Sequence, residues 1–426
     1  MKIKFAHLSD CHLGAWRNER LNVLGYRAFE EAINIIIKED VDFVIISGDL
    51  FDVSNPKVEV VDLTVRELKK LKDNGIPVYG IMGSHDFSPS NKSMIRPLVT
   101  AGLFINVSEG ETIDDKLKLS FTQDPKTQIK LTGLRARKRS LEIEDYERLD
   151  KQFLETEPGI KIFVFHTMLN ELKPIEFKQM ESTPKSGLPK NFHYYAGGHL
   201  HKTVPQELRA NPIKISYKNN IIYPGALSLT NFREIESYKF GGFCIVSGDM
   251  DDNKCDFSVK FIPLKIKDVI TMDFNCDNKT ALQVQSILKE KFETLSVKDK
   301  IITLRIHGIL SSGKTYEIKT NSFIQSLKQN GAYEVLINKF SLSSKEFTSI
   351  KVPTGKKNEE IEDVFIHEHV QNTNIKNVTK KDLENRIHEL IAIIGKEREE
   401  GTKVKDYNDL LVTNFKRIFQ IDEKKE

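Results

Sequence analysis

At 426 residues the chain is too long for one ordinary domain, and it balances 64 Lys+Arg against 61 Asp+Glu for a formal net charge of +3. A balance this close excludes a global electrostatic field as the source of any nucleic-acid contact, which has to come from local patches. Hydrophobic residues make up 39% of the chain, enough for a core, and no apolar run approaches the ~18 residues that a membrane span needs.

The pattern up to about residue 110 alternates strand and helix. Ile3–Leu8 is an apolar run of strand length. Phe29, Ala32, Ile33, Ile36 and Ile37 fall on one helical face, and Phe43–Ile46 reads as a buried strand. Val58, Val61, Val65, Leu68 and Leu71 make a second amphipathic helix, closed by Gly75, and Pro77–Met82 is the next strand. This order predicts a layered α/β domain with a largely buried sheet. Further strands are expected at Lys161–Phe165, Tyr194–Ala196, Phe240–Ser247 and Phe257–Pro263.

Beyond residue 266 the pattern predicts a small α+β domain: helix Thr280–Leu295, strand Ile301–Ile309, helix Ser322–Gln329 and strand Tyr333–Ile337. Residues 346–377 read as a polar linker. A helix then starts at Thr379 with Asp382 three residues on, carrying Leu383, Ile387, Leu390, Ile391 and Ile394. A last helix carries Leu411, Phe415, Ile418 and Phe419. These two apolar stripes are expected to dock on the rest of the chain or on a partner. The expected domains are thus 1–265, 266–345, 346–377 as linker and 378–426.

Short polar clusters stand at the ends of the early strands: S-D-C-H (Ser9–His12), G-D-L-F-D (Gly48–Asp52), G-S-H-D (Gly83–Asp86), F-H-T (Phe165–Thr167) and G-G-H-L-H-K (Gly197–Lys202), followed by P-G-A-L (Pro224–Leu227). Strand ends are where ligands bind in open α/β sheets. The clusters offer three or four carboxylates and five histidines, enough for two hard cations side by side, the usual means of cutting a phosphate ester. Asp49 is the best bridging carboxylate. Asp10 and His12, two apart, can chelate one metal, and His199 and His201 repeat that relation. His166 stands alone after its strand. His85 is placed to act on the substrate, with Asp86 as its expected orienting partner. His7 lies inside a strand and reads as a supporting or core residue.

The four cysteines, Cys11, Cys244, Cys255 and Cys276, show neither zinc nor disulfide spacing. No signal peptide is read at Met1. The expected setting is reducing and cytoplasmic, of prokaryote-like type.

The order D-x-H, G-D-x-x-D, G-x-H-D, H, G-H-x-H resembles the calcineurin-like metallophosphoesterase family. F-A-H-L-S-D-C-H-L-G, S-G-D-L-F-D and L-P-K-N-F-H-Y-Y-A-G-G-H-L-H-K narrow the resemblance to the SbcD/Mre-type nucleases of double-strand-break repair. It covers residues 1 to about 265, and more weakly the small domain. It implies a sandwich of two mixed sheets flanked by helices, a small α+β capping domain that contacts DNA, and a C-terminal helix pair that binds a coiled-coil SbcC-type ABC ATPase. It implies two Mn²⁺ ions, with Mg²⁺ as the alternative. One would take Asp10, His12, Asp49 and His201, and the other Asp49, Ser84, His166 and His199, with His85 as catalytic histidine. Ser84 departs from the family, which has Asn there, so the second metal is expected to bind more weakly. The family dimerises through nuclease-domain helices, which points to Leu98 with its neighbours and the exposed edge of the 57–72 helix. The implied activity is exo- and endonucleolytic DNA-end processing. The rivals are a phosphodiesterase acting on small nucleotides and a DNA-end scaffold that cuts weakly.

Three weaker signals remain. G-I-L-S-S-G-K-T at Gly308–Thr315 matches a phosphate-loop pattern, but the Y-E-I-K alternation after it predicts a polar hairpin tip instead. Lys130–Arg139 is a basic segment suited to solvent or to phosphate contact, and His367 and His369 read as solvated linker residues.

Overall fold

The structure is a computed structural model that describes residues 1–88, 92–137, 141–177, 179–216, 220–251, 254–345, 362–363, 366–367, 370, 378–395 and 404–419. It divides into two units, Met1–Ser343 and Ser344–Glu426.

The first unit opens with β1 (Lys2–Leu8), α1 (Glu19–Lys38), β2 (Phe43–Ser47), α2 (Val58–Asp73) and β3 (Val78–Ile81). Asn18 caps α1 by accepting from the amides of Arg20 and Leu21. The helix buries Leu21, Leu24, Ala28, Phe29, Ala32, Ile33 and Ile36 along one stripe. Short elements follow: α3 (Ile95–Thr100), β4 (Ile105–Asn106), the hairpin β5 (Gly110–Ile113) and β6 (Lys116–Leu119), β7 (Thr122–Gln123) and β8 (Lys130–Leu134). Next come α4 (Glu142–Arg148), α5 (Lys151–Thr156), β9 (Lys161–His166), β10 (Tyr194–Gly198), β11 (Ile213–Lys214) and β12 (Ile221–Ile222). Then α6 (Phe232–Tyr238) precedes the long hairpin β13 (Gly241–Asp251) and β14 (Lys254–Leu264).

Two sheets face each other. A seven-stranded mixed sheet runs β11-β14-β13-β1-β2-β3-β4, and a five-stranded mixed sheet runs β12-β10-β9-β8-β7. Alternation along each strand decides which side chains lie between them. Ile3 and Phe5 of β1, Phe43 and Ile45 of β2 and Tyr79 and Ile81 of β3 point inward. They meet Leu131, Ile162, Val164, Tyr194 and Ile222 of the second sheet. The opposite set, Ala6, Leu8, Val44 and Ile46, packs on α1 and α2. The strands β1, β2 and β3 are parallel, as are β8, β9 and β10. Their carboxyl ends therefore open on one edge of the sandwich.

A third sheet comprises β15 (Val269–Asn275), β16 (Ile301–Leu310), β17 (Glu334–Asn338) and β18 (Leu342–Ser344), with α7 (Ala281–Glu293) and α8 (Thr320–Gln329) as crossovers. Thr280 and Gln283 form a reciprocal capping box at the start of α7. The Gly308–Thr315 segment is not a hairpin tip. It leads from β16 through a single 3₁₀ turn into α8, which starts only at Thr320. Amides at its start are engaged: Ile309 N donates to the Asp277 carboxylate, and Ser311 N to the Lys279 carbonyl. With a carboxylate on one of these amides and no helix directly after the loop, the segment does not form the helix-N-terminus cradle of a phosphate loop.

In the second unit, α9 (Lys380–Ile394) starts at the Thr379 cap, and α10 (Val404–Phe419) follows. The terminal helices share a small core with residues of the 346–377 segment. Leu383 packs with Ile366 and Val370, and Ile387 and Phe419 lie against them. Ile394, Leu410, Val412 and Phe415 stay exposed. His367 Nδ1 contacts Glu384 at 2.8 Å. His369 and most of the 346–377 linker lie outside the described residues.

Candidate metal centre

The loops after β1, β2, β3, β9 and β10 bring the expected residues together. Two buried groups of potential ligands result, Asp10–His12–His201 and Asp49–His166–His199, each with its ligand atoms within 4.8 Å of one another. His166 Nε2 lies 3.1 Å from Asp49 Oδ2 and 4.0 Å from Asp10 Oδ1, so the groups adjoin. His12 Nε2 and His201 Nε2 face each other at 3.1 Å.

The backbone is bent to make this possible. Asp10, His12, Asp49 and His199 all adopt positive φ (49°, 44°, 51° and 83°), a cost concentrated where function needs it. Gly83 and Gly198 permit the close approach of neighbouring loops. A Cβ on Gly83 would stand 2.2 Å from Asp49 Oδ1, and one on Gly198 2.0 Å from the Ser47 carbonyl oxygen.

Several rings are oriented through their other nitrogen. His166 Nδ1 donates to the Ser47 carbonyl at 2.8 Å, and His201 Nδ1 donates to Glu234 at 2.7 Å. In each case Nε2 is left facing the cluster. His7 also supports the site from inside the sandwich. It bonds Tyr194 Oη and Ser47 Oγ, both at 2.9 Å, and so braces the β2 end that carries Gly48 and Asp49.

The charges are strongly coupled. Burial alone would raise the Asp49 carboxyl, but His166, His12 and His85 hold it well below the usual carboxylate range. Burial opposes a charged His166, yet Asp49 outweighs it and pushes the ring up to about 10. His201 is likewise raised to about 9 against its burial, chiefly by the bond to Glu234. Burial and then the like charge of His166 lower His199 to about 4.

His12 Nδ1 lies toward Asp52, which leaves its Nε2 to the cluster, and His166 Nε2 is buried beside Asp49 Oδ2 without a well-aligned hydrogen bond, as befits an atom able to take a cation. Carboxylate oxygens and imidazole nitrogens suit a first-row divalent ion. The residues therefore fit a divalent-metal centre of two adjoining sites.

His85 stands apart, exposed at the rim. Its amide donates to Asp49 Oδ1 at 2.7 Å, and its Nδ1 donates to the Asp52 carbonyl at 2.6 Å, leaving Nε2 to the open side. Asp86 does not orient it. Asp86 is buried and accepts from the amides of Leu50, Phe51 and Gly83, tying the β2 and β3 loops together. Burial and the nearby Asp49 raise its carboxyl to about 7. Ser84, half-buried, lies between the anchored Gly83 and His85.

Two residues of the site escaped sequence reasoning. Glu234 shows in sequence only as the third residue after the Asn231 helix cap, which predicts a helix start and nothing about His201. Asp52 was visible in G-D-L-F-D, but its carboxylate lies 3.2 Å from His12 Nδ1, completing a third group with His12 and His85. In the basic segment, Arg137 pairs with Asp145 at 3.1 Å and Arg135 lies over the Phe87 ring at 6.0 Å. Lys138 and Arg139 lie outside the described residues. Leu98 is packed in the core and is not a surface residue; its neighbour Val99 is exposed, as is Val58 at the start of α2.

A two-sheet sandwich with adjoining His/Asp metal clusters at its strand ends defines a metal-dependent phosphoesterase of the hydrolase class. The calcineurin-like phosphoesterase family matches residues 3–203, and the chain belongs to that family. It is related to archaeal proteins named DNA double-strand break repair protein Mre11. The protein of Methanococcus maripaludis is 30% identical over 302 residues, spanning 68% of this chain and 75% of that protein. The protein of Sulfolobus acidocaldarius is 28% identical over 351 residues, 77% and 85% of the two chains. That of Methanocaldococcus jannaschii is 27% identical over 345 residues, 76% and 87%. No helix among the described residues is long and apolar enough to cross a membrane.

Proposed function

We propose that the chain is a Mn²⁺-dependent DNA nuclease that processes double-strand ends. The observation that carries this reading is the convergence of Asp10, His12, Asp49, His166, His199 and His201 in two adjoining groups of potential ligands. Asp10, His12 and His201 would hold one ion and His166, His199 and Ser84 the other, with Asp49 between them. When bound, the metal pair supplies Lewis acidity for phosphodiester hydrolysis. Asp49 also accepts the His85 amide, so a carboxylate that would help hold the ions also fixes the backbone of the proposed catalytic histidine. His85 keeps its Nδ1 proton on the Asp52 carbonyl and presents Nε2 to the leaving oxygen, where it can carry the proton to be transferred.

The relatives' names support DNA as substrate. On this reading, residues 266–345 cap the nuclease domain and touch DNA. The helices within 378–426 offer Ile394, Leu410, Val412 and Phe415 to a coiled-coil ATPase, and the chain works as a homodimer.

The test is incubation with linear duplex DNA and Mn²⁺ or Mg²⁺. The wild type should release nucleotides, and His85→Ala should slow cleavage by about 10²- to 10⁴-fold while retaining metal. Absence of cleavage by the wild type, alone and with its ATPase, overturns the nuclease reading. Cleavage of a small cyclic or bis-nucleotide but not DNA would support the phosphodiesterase rival.

A further inference from the structure

Helix α6 carries two carboxylates with different destinations. Glu234 accepts from His201 Nδ1 at 2.7 Å. It is fixed independently of that ring by Thr230 N at 2.7 Å, Thr230 Oγ1 at 3.1 Å and Asn231 Nδ2 at 2.6 Å. Two residues on, Glu236 is gripped by Arg305 of β16 through Nε at 2.8 Å and Nη2 at 2.6 Å. The Arg305 guanidinium also covers the Phe232 ring at 5.3 Å. A planar two-point pair backed by an aromatic ring fixes position in a way a single ammonium contact does not. One short helix thus touches the His201 ring at one carboxylate and the four-stranded sheet at the other.

We infer that Glu234 is a positioning residue for His201, and that Arg305 sets Glu234 through α6, so that the seating of the four-stranded sheet tunes cation affinity at Asp10–His12–His201. The inference rests on the metal-centre reading above. An imidazole whose Nδ1 proton is held by a fixed carboxylate keeps its Nε2 lone pair aimed at one point. Without that acceptor the ring is free to turn or change tautomer.

The experiment is calorimetric titration of Mn²⁺ into the full chain without DNA, with thermal unfolding of each variant alongside. Glu234→Ala should weaken Mn²⁺ at one site by about 10- to 100-fold. Arg305→Ala and Glu236→Ala, both remote from the ligands, should each weaken it by about 3- to 10-fold. Combining Arg305→Ala with Glu234→Ala should add nothing to Glu234→Ala alone. Asn231→Ala removes the helix cap together with one of the three anchors on Glu234 but leaves the Glu234–His201 contact, so its loss should be smaller than that in Glu234→Ala. Wild-type affinity in Arg305→Ala and Glu236→Ala overturns the link to the sheet, and these variants decide that point even if Glu234→Ala does not fold. A loss in Asn231→Ala equal to that in Glu234→Ala overturns the positioning role in favour of simple helix stability. If the wild type takes up no Mn²⁺, it is the metal-centre reading that fails. If it does and Glu234→Ala matches it, this inference fails alone.

Discussion

On the proposed two-metal reading, Ser84 is the ligand position where small chemistry has the largest predicted effect. A hydroxyl is shorter than an amide and a weaker neutral donor. Ser84→Asn should tighten the weaker Mn²⁺ site by up to about tenfold, the equivalent of 1.4 kcal/mol, read by Mn²⁺ titration. Unchanged metal dependence would show that Ser84 does not limit that site. Gly198 offers a steric test. Its missing Cβ is replaced by the Ser47 carbonyl that orients His166. Gly198→Ala has to move that backbone and should cost about 1–3 kcal/mol, measured by urea unfolding. His7 provides the pH test. Burial lowers its ring to about 3, so it stays neutral in the fold. Its polar surroundings are the Tyr194 and Ser47 hydroxyls, with Cys244 opposite on β13, and burial keeps both the phenol and the thiol protonated. The unfolded chain binds this proton near 6.5, above the folded value. The stability that His7 contributes is therefore complete above pH 6.5 and is lost as pH falls toward 3, by up to roughly 1.4 kcal/mol per pH unit. The slope of unfolding free energy over that window should be shallower in His7→Gln.

At the scale of elements, the long periodic segments matched their sequence patterns because one face decides each of them. The stripe Phe29–Ile36 became the buried face of α1; Val58–Leu71 became α2 as expected, but its buried face is Val60, Thr64, Glu67, Leu68 and Leu71, and Val58 of the expected stripe is exposed. The uninterrupted apolar runs became β2 and β9, buried on both faces. The short elements did not announce themselves. β4, β7, β11 and β12 are two residues each and exist only through their neighbours' hydrogen bonds. The hairpin β5–β6, with Asp114 and Asp115 in its turn, is mostly exposed, and its apolar alternation is confined to the four residues Lys116–Leu119, too short to stand out. Local capping, by contrast, is legible. Thr280→Ala removes half of a reciprocal box and should lower stability by about 1 kcal/mol in chemical denaturation.

At the scale of the molecule, the first unit contains both the facing sheets and the four-stranded sheet. Asn18 bonds Glu334 at 3.0 Å, and Arg20 lies over the Tyr333 ring at 4.6 Å while its carbonyl accepts the Tyr333 hydroxyl. Leu21, Leu24, Ile235 and Ile301 form an apolar cluster beneath those contacts. Since Met1–Ser343 is a compact unit, a chain ending at residue 345 should bind Mn²⁺ as the full chain does, measured by calorimetry. A loss of affinity in that shortened chain would show that the last residues support the metal centre.

What the sequence determined by itself was the chemistry available at each strand end. Apolar periodicity is a local property, and it placed Asp10, His12, Asp49, His85, His166, His199 and His201 just beyond buried strands. What only the tertiary structure decided was which nitrogen of each ring faces the cluster and what holds it there. The Ser47 carbonyl serves His166 across 119 residues, and Glu234 serves His201 across 33. Asp86 turned from a partner of His85 into a clamp on the β2 loop. These contacts join residues distant in sequence through the register of parallel strands and the approach of two sheets. No spacing along the chain encodes such distances, because they exist only once the core has closed.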